Sequence, residues 1–322
     1  MIQKSAVVKQ SKKILPPTSI GFALLIQLAL PDSPLQKAAA RPYFLYLLLI
    51  LTGIYAVAYA VSFFAPRLDS YLAYHGPLYA GIILFFNILN VFTLKFVVLP
   101  VLFFPSLDRI VETFLHDRIF LLKCVLFSLR LLATGFFFGA VVGFFSGVLL
   151  GFSRRAAYWL NPVVKVLGPI PTTAWIPLAL SSFPTSYSAS VFLIAFTVWF
   201  QVALMTSSGI QSINKSYFEV SRTLGASNSY QIWHVAVPGA MPSIFLGLFN
   251  GTCGSFITLM TAEMVGTSAG IGWYINWQKQ MMVYSGVYTG LFIIAVVCSL
   301  ILTLLFKVRG RLLVWQKGVI KW

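Results

Sequence analysis

The chain is written in long apolar blocks separated by short polar stretches. The blocks lie near 43–64, 77–95, 123–151, 167–183, 190–210, 241–262 and 286–306. Since about 20 helical residues cross the hydrocarbon core of a bilayer, each block reads as a membrane span. An eighth block, "SIGFALLIQLAL" at 19–30, is shorter; it follows Lys4, Lys9, Lys12 and Lys13 and precedes a run of alanines, as a cleaved leader does. Prolines and further residues separate it from Ala40, which favours an uncleaved short span or an interfacial helix. The pattern predicts an all-α integral membrane protein, a polytopic helical bundle.

Two blocks carry internal detail. In the third, Gly135, Gly139, Gly143, Gly147 and Gly151 recur every fourth residue. That spacing lays a smooth stripe along one helix face, where a second helix can approach closely. The seam lies either within the subunit or across a dimer. The fourth block, "GPIPTTAWIPLAL", holds Pro169, Pro171 and Pro177. Each proline frees a backbone carbonyl and bends the helix. Such a bend serves a transport pathway or simply packing.

One stretch breaks the apolar pattern: "SYFEVSRTLGASNSYQIWHVAVPGAMP", 216–242. Ser216 with Glu219 three residues on has the spacing of a capping box. The helix this predicts runs to Gly225, which can take the left-handed closing conformation. Asn228 and Gln231 start a second short helix, and Pro238 and Pro242 lead into the next span. The expected product is a compact helix–Gly–helix hairpin along the membrane surface. The plainer alternative is an amphipathic connector, which leaves its length and shape unexplained.

Composition sharpens the class. Hydrophobic residues make up 59% and charged residues 9% of the chain. Soluble domains carry about 25% charged residues, so this chain cannot cover a water-facing surface. The formal charge of +16 raises nucleic acid as a partner. However, Arg154, Arg155, Lys165, Lys215, Arg222, Lys307, Arg309, Arg311, Lys317 and Lys321 sit in short loops and at a tail, as a topology signal does. Two spans separate each of these groups from the next, so all face one side, read as cytoplasmic together with the 211–240 loop and the C-terminus. The segment "FPSLDRIVETFLHD" at 104–117 then lies outside.

Little here supports chemistry. Cys124, Cys253 and Cys298 lie in apolar runs, and His75, His116 and His234 are scattered, so no metal site or disulfide framework is expected. There is no P-loop motif and no convergent catalytic set, so no enzyme is expected. The middles of the spans are nearly bare of charge: Arg130 lies in the first third of its span, and Lys95 and Glu263 lie at span ends. That argues against an ion-coupled carrier. A secondary carrier with an uncharged site and a structural membrane protein remain as alternatives.

The polar stretch also carries a resemblance. Glu219-Val220-Ser221, three residues, Gly225, nine residues and Val235-Ala236-Val237-Pro238 resemble the E-A-A…G…I-x-L-P loop of bacterial ABC importer permeases, with valine and serine in place of the two alanines. "FPSLDRI", "GFSRRAAYWLNPVVKVLGPIPTTAWIPLAL", "RTLGAS" and "AEMVGTSAGIGWYI" are similar to segments of the nitrate/sulfonate/taurine branch. The resemblance covers roughly 105–316. It implies a type I importer permease core of five to six spans, preceded by an N-terminal extension (1–104) with two or three apolar segments and followed by a basic tail (317–322). It also implies residence in the inner (plasma) membrane, a second permease subunit in a homodimer or a similar pair, P-loop ATPase subunits that hold the ATP, and an external solute-binding protein. No cofactor is implied in this chain. Glu219, Val220, Ser221, Arg222, Gly225 and Pro238 become the expected coupling residues. The implied substrates are nitrate, bicarbonate, sulfonates, taurine or thiamine-precursor-like solutes. Gln201, Ser207, Asn250, Thr258 and Thr261 are candidates for the translocation path, although a helix–helix hydrogen bond, worth ~0.6 kcal/mol, is the favoured role for each.

Overall fold

A computed structural model describes residues 2–36 and 39–314. The expected basic tail at 317–322 lies outside the described residues. Six of the described helices are long and apolar enough to cross a membrane: Tyr43–Ser62, Pro66–Lys95, Arg118–Phe152, Ser186–Gln211, Asn228–Gly266 and Tyr284–Leu312. The fourth predicted span is different. It is a bent pair, Arg154–Leu167 with Thr172–Ser182, turned through 89°. Pro169 and Pro171 have no N–H to offer the preceding turn, and this is why the helix stops there rather than merely kinking. Counting the pair as one span makes seven crossings. Contacts divide the chain into two compact units, Met1–Arg118 with Gln278–Thr289, and Ile119–Trp277 with the residues from Gly290 on.

The first unit is built on α1 (Ile2–Ala29), α2 (Tyr43–Ser62), α3 (Pro66–Asn90) and α4 (Leu107–His116). The block at 19–30 is the second half of α1, and Ile20 and Ala23 are buried in the unit's core with Phe44 and Leu48 of α2. Pro16 and Pro17 lie inside α1 and deprive the carbonyls of Lys12 and Lys13 of their helical donors. The neighbouring helices use those free groups. The Tyr55 hydroxyl donates to Lys13 O at 2.7 Å, and Gly76 lets α3 press against Lys12 O. Lys13 pairs with Asp69. At the other end, Lys95 Nζ donates to Leu30 O at 2.6 Å, to Gln27 O at 3.2 Å and to Asp32 Oδ1 at 2.7 Å, tying off the last carbonyls of α1.

α4 caps its neighbour as well as itself. Ser106 accepts the Arg109 amide at its own start, while Asp108 Oδ1 accepts the Phe44 amide in the first turn of α2 at 2.7 Å. Asp108 is buried. Burial pushes its carboxyl above the usual carboxylate range, and the Phe44 amide pulls the other way without cancelling it.

The second unit is built around α8 (Ser186–Gln211), which lies between α5 (Arg118–Phe152) and α11 (Val237–Gly266). The glycine stripe of α5 faces α8. A Cβ on Gly139 would sit 2.8 Å from Val198 Cβ, one on Gly143 would sit 2.9 Å from Val202 Cβ, and one on Gly147 would sit 2.6 Å from Thr206 Cβ. Gly135 and Gly151 meet Ile194 and Ile210 in the same way, so the whole stripe packs inside the subunit. A second row, Gly247, Gly251 and Gly254 of α11, takes the adjoining face of α8 against Met205, Val198 and Thr197. Val198 and Val202 are fully buried where the two rows meet. Ser146 accepts the Trp199 indole N–H at 3.0 Å across the α5–α8 seam.

α6 (Arg154–Leu167) is amphipathic and begins at Ser153, whose hydroxyl accepts the Ala156 amide. A 3₁₀ turn, Thr172–Trp175, follows the break and leads into α7 (Ile176–Ser182).

Two outcomes are expected. Gly143→Val should lower the thermal stability of the purified chain by the equivalent of about 1–3 kcal/mol, since the added methyls have no space to enter. Gly53→Val is the control, because a Cβ there meets nothing within 4 Å. The second concerns Asp108. Its folded pKa lies above its unfolded one, so the native state binds more protons between the two values. Stability from this residue is therefore greatest below the ordinary carboxylate value and declines as pH rises through the raised folded value. Asp108→Asn should flatten the pH dependence of Tm over that window. An unchanged slope would show that the Asp108 proton is not the one involved.

Candidate functional site

The polar stretch folds as a hairpin between α8 and α11. Its first helix is α9 (Lys215–Thr223). The N-cap is Asn214, whose side chain accepts the Ser216 amide at 3.0 Å. The expected capping box of Ser216 and Glu219 does not form, because Asn214 takes that donor first and starts the helix two residues earlier. Glu219 is left exposed, as are Val220 and Arg222. Among the described residues neither Glu219 nor Arg222 makes a salt bridge.

The turn after α9 is a complete Schellman motif. Ala226 N donates to Ser221 O and Gly225 N to Arg222 O, both at 3.0 Å, with Gly225 at φ +82°. Nothing lies within 4 Å of a Cβ at Gly225, so glycine is needed there for its backbone angle and not for space.

Ser227 then caps α10 (Asn228–Gln231) by accepting the Tyr230 amide. The second helix does not stop at Pro238, as the sequence suggested. It passes through a π-helical turn, Ile232–Ala236, where Val237 N reaches back to Ile232 O, and continues as α11. The wider turn immediately precedes Pro238, which has no N–H to donate to it. The hairpin's second arm and the span are thus one helix, Asn228–Gly266.

The two arms are locked by Gln231, which the sequence marks only as part of a helix start. Gln231 is buried and donates through Nε2 to Phe218 O and to Ser221 Oγ, both at 3.1 Å. Ser221, in the place of the motif's second alanine, therefore helps hold the hairpin shut. Phe218 and Ile232 root it in the core of Val148, Ile210, Ala236, Val237, Ala240 and Ile244. The opposite face carries Tyr217, Val220 and Leu224, 67%, 58% and 82% exposed. A groove of about 460 Å³ follows the crook, lined by Ser221, Leu224, Gly225, Ala226, Ser227 and Tyr230. Rigid arms, an apolar root and an exposed ridge make a unit that can pass a displacement into α8 and α11.

The five path candidates lie on α8 and α11. Ser207 accepts from Gln211 of its own helix, and Thr261 donates to Ile257 O. Thr258 is buried and lies 2.9 Å from Thr197 of α8. Gln201 and Asn250 are half-buried on α8 and α11. No hydrogen bond joins one of the five to another among the described residues.

Glu263 was read as a charge at the end of a span. It is in fact fully buried. Its carboxylate accepts Ser128 Oγ at 2.7 Å and the Gly272 amide at 2.8 Å, while Ser128 Oγ accepts the Ile271 amide at 2.9 Å. The set closes the turn from α11 into α12 (Ile271–Gln280) onto α5. "AEMVGTSAGIG" holds the signal in outline, a carboxyl followed by a glycine-rich turn. Its partner Ser128 is 135 residues away and gives none.

Comparison with known proteins agrees with this architecture. Residues 135–314 match the family described as "Binding-protein-dependent transport system inner membrane component". The chain is 32% identical over 186 residues to the putative aliphatic sulfonates transport permease protein SsuC of Bacillus subtilis, covering 58% of this chain and 67% of that one. It is 35% identical over 148 residues to the nitrate import permease protein NrtB of Synechocystis sp., covering 46% of this chain and only 54% of that one. It is 27% identical over 192 residues to the taurine transport system permease protein TauC of Escherichia coli, covering 60% and 70%. Among solved structures, a chain of the inward-facing MetNI methionine ABC transporter superposes with a TM-score of 0.53 at 22% identity, over 61% of this chain and 97% of that one. That likeness is one of fold. With more than half of its length matched, the chain belongs to the binding-protein-dependent transport system inner membrane component family of transport permeases.

Proposed function

We propose that this chain lines the translocation path of an ABC importer for a small oxyanion or organic solute and is driven through the 214–238 hairpin. The observation that carries this reading is the hairpin itself. It is capped at Asn214, turned at Gly225, clamped by Gln231 and continuous with a span, so its exposed ridge can be moved only by moving the membrane core. Glu219, Val220, Arg222 and Leu224 form the face offered to a cytoplasmic P-loop ATPase. Ser221 and Pro238 act within the hairpin, through the clamp and the π turn. The ATP belongs to the ATPase, and this chain holds no cofactor.

The sidedness follows from the basic residues. Arg154 and Arg155 are two crossings from Lys215 and Arg222, which are two crossings from Lys307, Arg309 and Arg311. The positive-inside bias supports placing all three groups, the hairpin and the C-terminus in the cytoplasm. A second permease subunit, in a homodimer or similar pair, completes the path, and an external solute-binding protein delivers the solute. The relatives are named for aliphatic sulfonates, nitrate, taurine and bicarbonate, and this set supports a small oxyanion-bearing substrate. Nucleic acid has no place in this reading, and the surrounding partner is lipid.

The test is gentle purification of the tagged chain from its native membrane, with mass spectrometry of what accompanies it. A stoichiometric P-loop ATPase is expected. Gly225→Ala should open the hairpin's turn by about 1 kcal/mol, because left-handed backbone disfavours a Cβ. Gly225→Pro and Glu219→Lys should leave membrane insertion intact and lower solute-stimulated ATP turnover. Wild-type transport by both of the latter variants would remove the coupling role.

A further inference from the structure

The bend between α6 and the Thr172–Trp175 turn has no place yet in the coupling scheme. Its depth can be read from its partners on α8. Thr172 Oγ1 accepts from Thr197 Oγ1 at 2.9 Å, and Thr197 Oγ1 lies 2.9 Å from Thr258 Oγ1 of α11. The Trp175 ring packs edge-on to Phe196 with centroids 5.9 Å apart, and Gly168 is pressed against the Phe200 ring. Residues 196, 197 and 200 lie at the middle of the 26-residue α8, so the break lies at mid-membrane.

Irregular backbone is rare at that depth. Among the described residues no backbone N–H is placed against the carbonyls of Pro169 and Ile170, because the prolines and the 89° turn carry the chain off the helical path. Pro169, Ile170, Pro171, Thr173 and Ala174 are all exposed. Carbonyls left bare in hydrocarbon are strongly unfavourable, and non-helical backbone is tolerated in a membrane only where protein covers it or water reaches it. The inner side of the break is already held by the three threonines, Phe196 and Phe200. The outer side carries free carbonyls and the Thr173 hydroxyl, a surface that suits water and a small polar solute far better than acyl chains.

We propose that the outer side of this break, residues 169–174, forms the wall of the water-filled path at mid-membrane, with Thr173 as a residue the passing solute meets. The Thr172–Thr197–Thr258 chain is the device that positions it. It ties the broken helix to the two helices that carry the coupling hairpin. The inference rests on the transport reading above and gives it a location.

The test is cysteine accessibility in the full chain, with Cys124, Cys253 and Cys298 replaced by serine and either Thr173→Cys or Ala174→Cys introduced. Vesicles of both orientations are treated with a membrane-impermeant anionic methanethiosulfonate. Leu149→Cys and Leu300→Cys serve as controls, on exposed apolar positions of α5 and α13 (Tyr284–Leu312). Labelling of Thr173→Cys and Ala174→Cys from at least one side, at least ten-fold faster than the controls, is expected. Rates no faster than the controls, in protein that still co-purifies with its ATPase, would overturn the inference and leave the importer reading standing. Fast labelling in a chain that brings down no ATPase would do the opposite. Two labelled positions guard against one variant misfolding.

Discussion

The second unit depends on how closely two helices can approach the backbone of α8. The five glycines of α5, with Gly247 and Gly254 of α11, leave no room for a Cβ, and Val198 and Val202 are buried where the two rows meet. In a bilayer the hydrophobic effect does not drive helices together, since lipid tails are as apolar as leucine. Contact has to come from van der Waals fit that lipid cannot reproduce, and small residues permit it. The carbonyl oxygens of Val191, Ala195, Trp199 and Ala203 face Gly135, Gly139, Gly143 and Gly147 in turn, so two backbones run against each other over more than three helical turns. Ser146 and Trp199 fix the register with a hydrogen bond. Such a seam resists sliding as well as separation, because each valine sits in a hole bounded by its neighbours.

A second constraint governs the rest of the chain. Every proline in a span frees a carbonyl, and in lipid that carbonyl needs a partner. The chain meets this need in three ways. At Pro16 and Pro17 of α1, a Tyr55 hydroxyl and the bare surface of Gly76 come to the freed groups. At Pro238 the helix winds wider for one turn and continues. At Pro169 and Pro171 it breaks. The first two are repairs within a packed helix. The third leaves polar backbone on a surface, and there a structural explanation by packing alone is weakest.

The sequence made the local signals legible and hid those that depend on distant partners. The five-glycine stripe, the need for Gly225 at the hairpin turn and the span blocks other than the fourth are periodicities or single-residue requirements, and each appears where the pattern placed it. The stripe's partner has the same spacing, Ile194, Val198, Val202, Thr206 and Ile210, but branched residues fill much of an apolar span and such a row does not stand out in it. The second row of Gly247, Gly251 and Gly254 was hidden by its mixed spacing. The cap was misplaced because Asn214 and Ser216 are both good capping residues, and only the path of the chain leaving α8 chooses between them. In the sequence Gln231 is a polar residue near a helix start, and Glu263 a charge at the end of a span. Their burial is set by Phe218, Ser221 and Ser128, which sequence order does not bring near.

These features converge on α8 and α11. The hairpin joins the end of one to the start of the other, and its second arm is continuous with α11. The break hangs on the middle of α8 through Thr197, which in turn meets Thr258 of α11. Between those points lies the part of the unit least able to deform, since the glycine rows allow neither helix to slip past its neighbours without driving a side chain into backbone. A displacement imposed on the ridge of Tyr217, Val220 and Leu224 therefore cannot be absorbed as local bending between hairpin and seam. It has to move the pair of helices as one body, and the threonine ties carry the broken helix along with them. Under the proposed function the stiffness of the seam is what allows an event at the membrane surface to reach the middle of the bilayer.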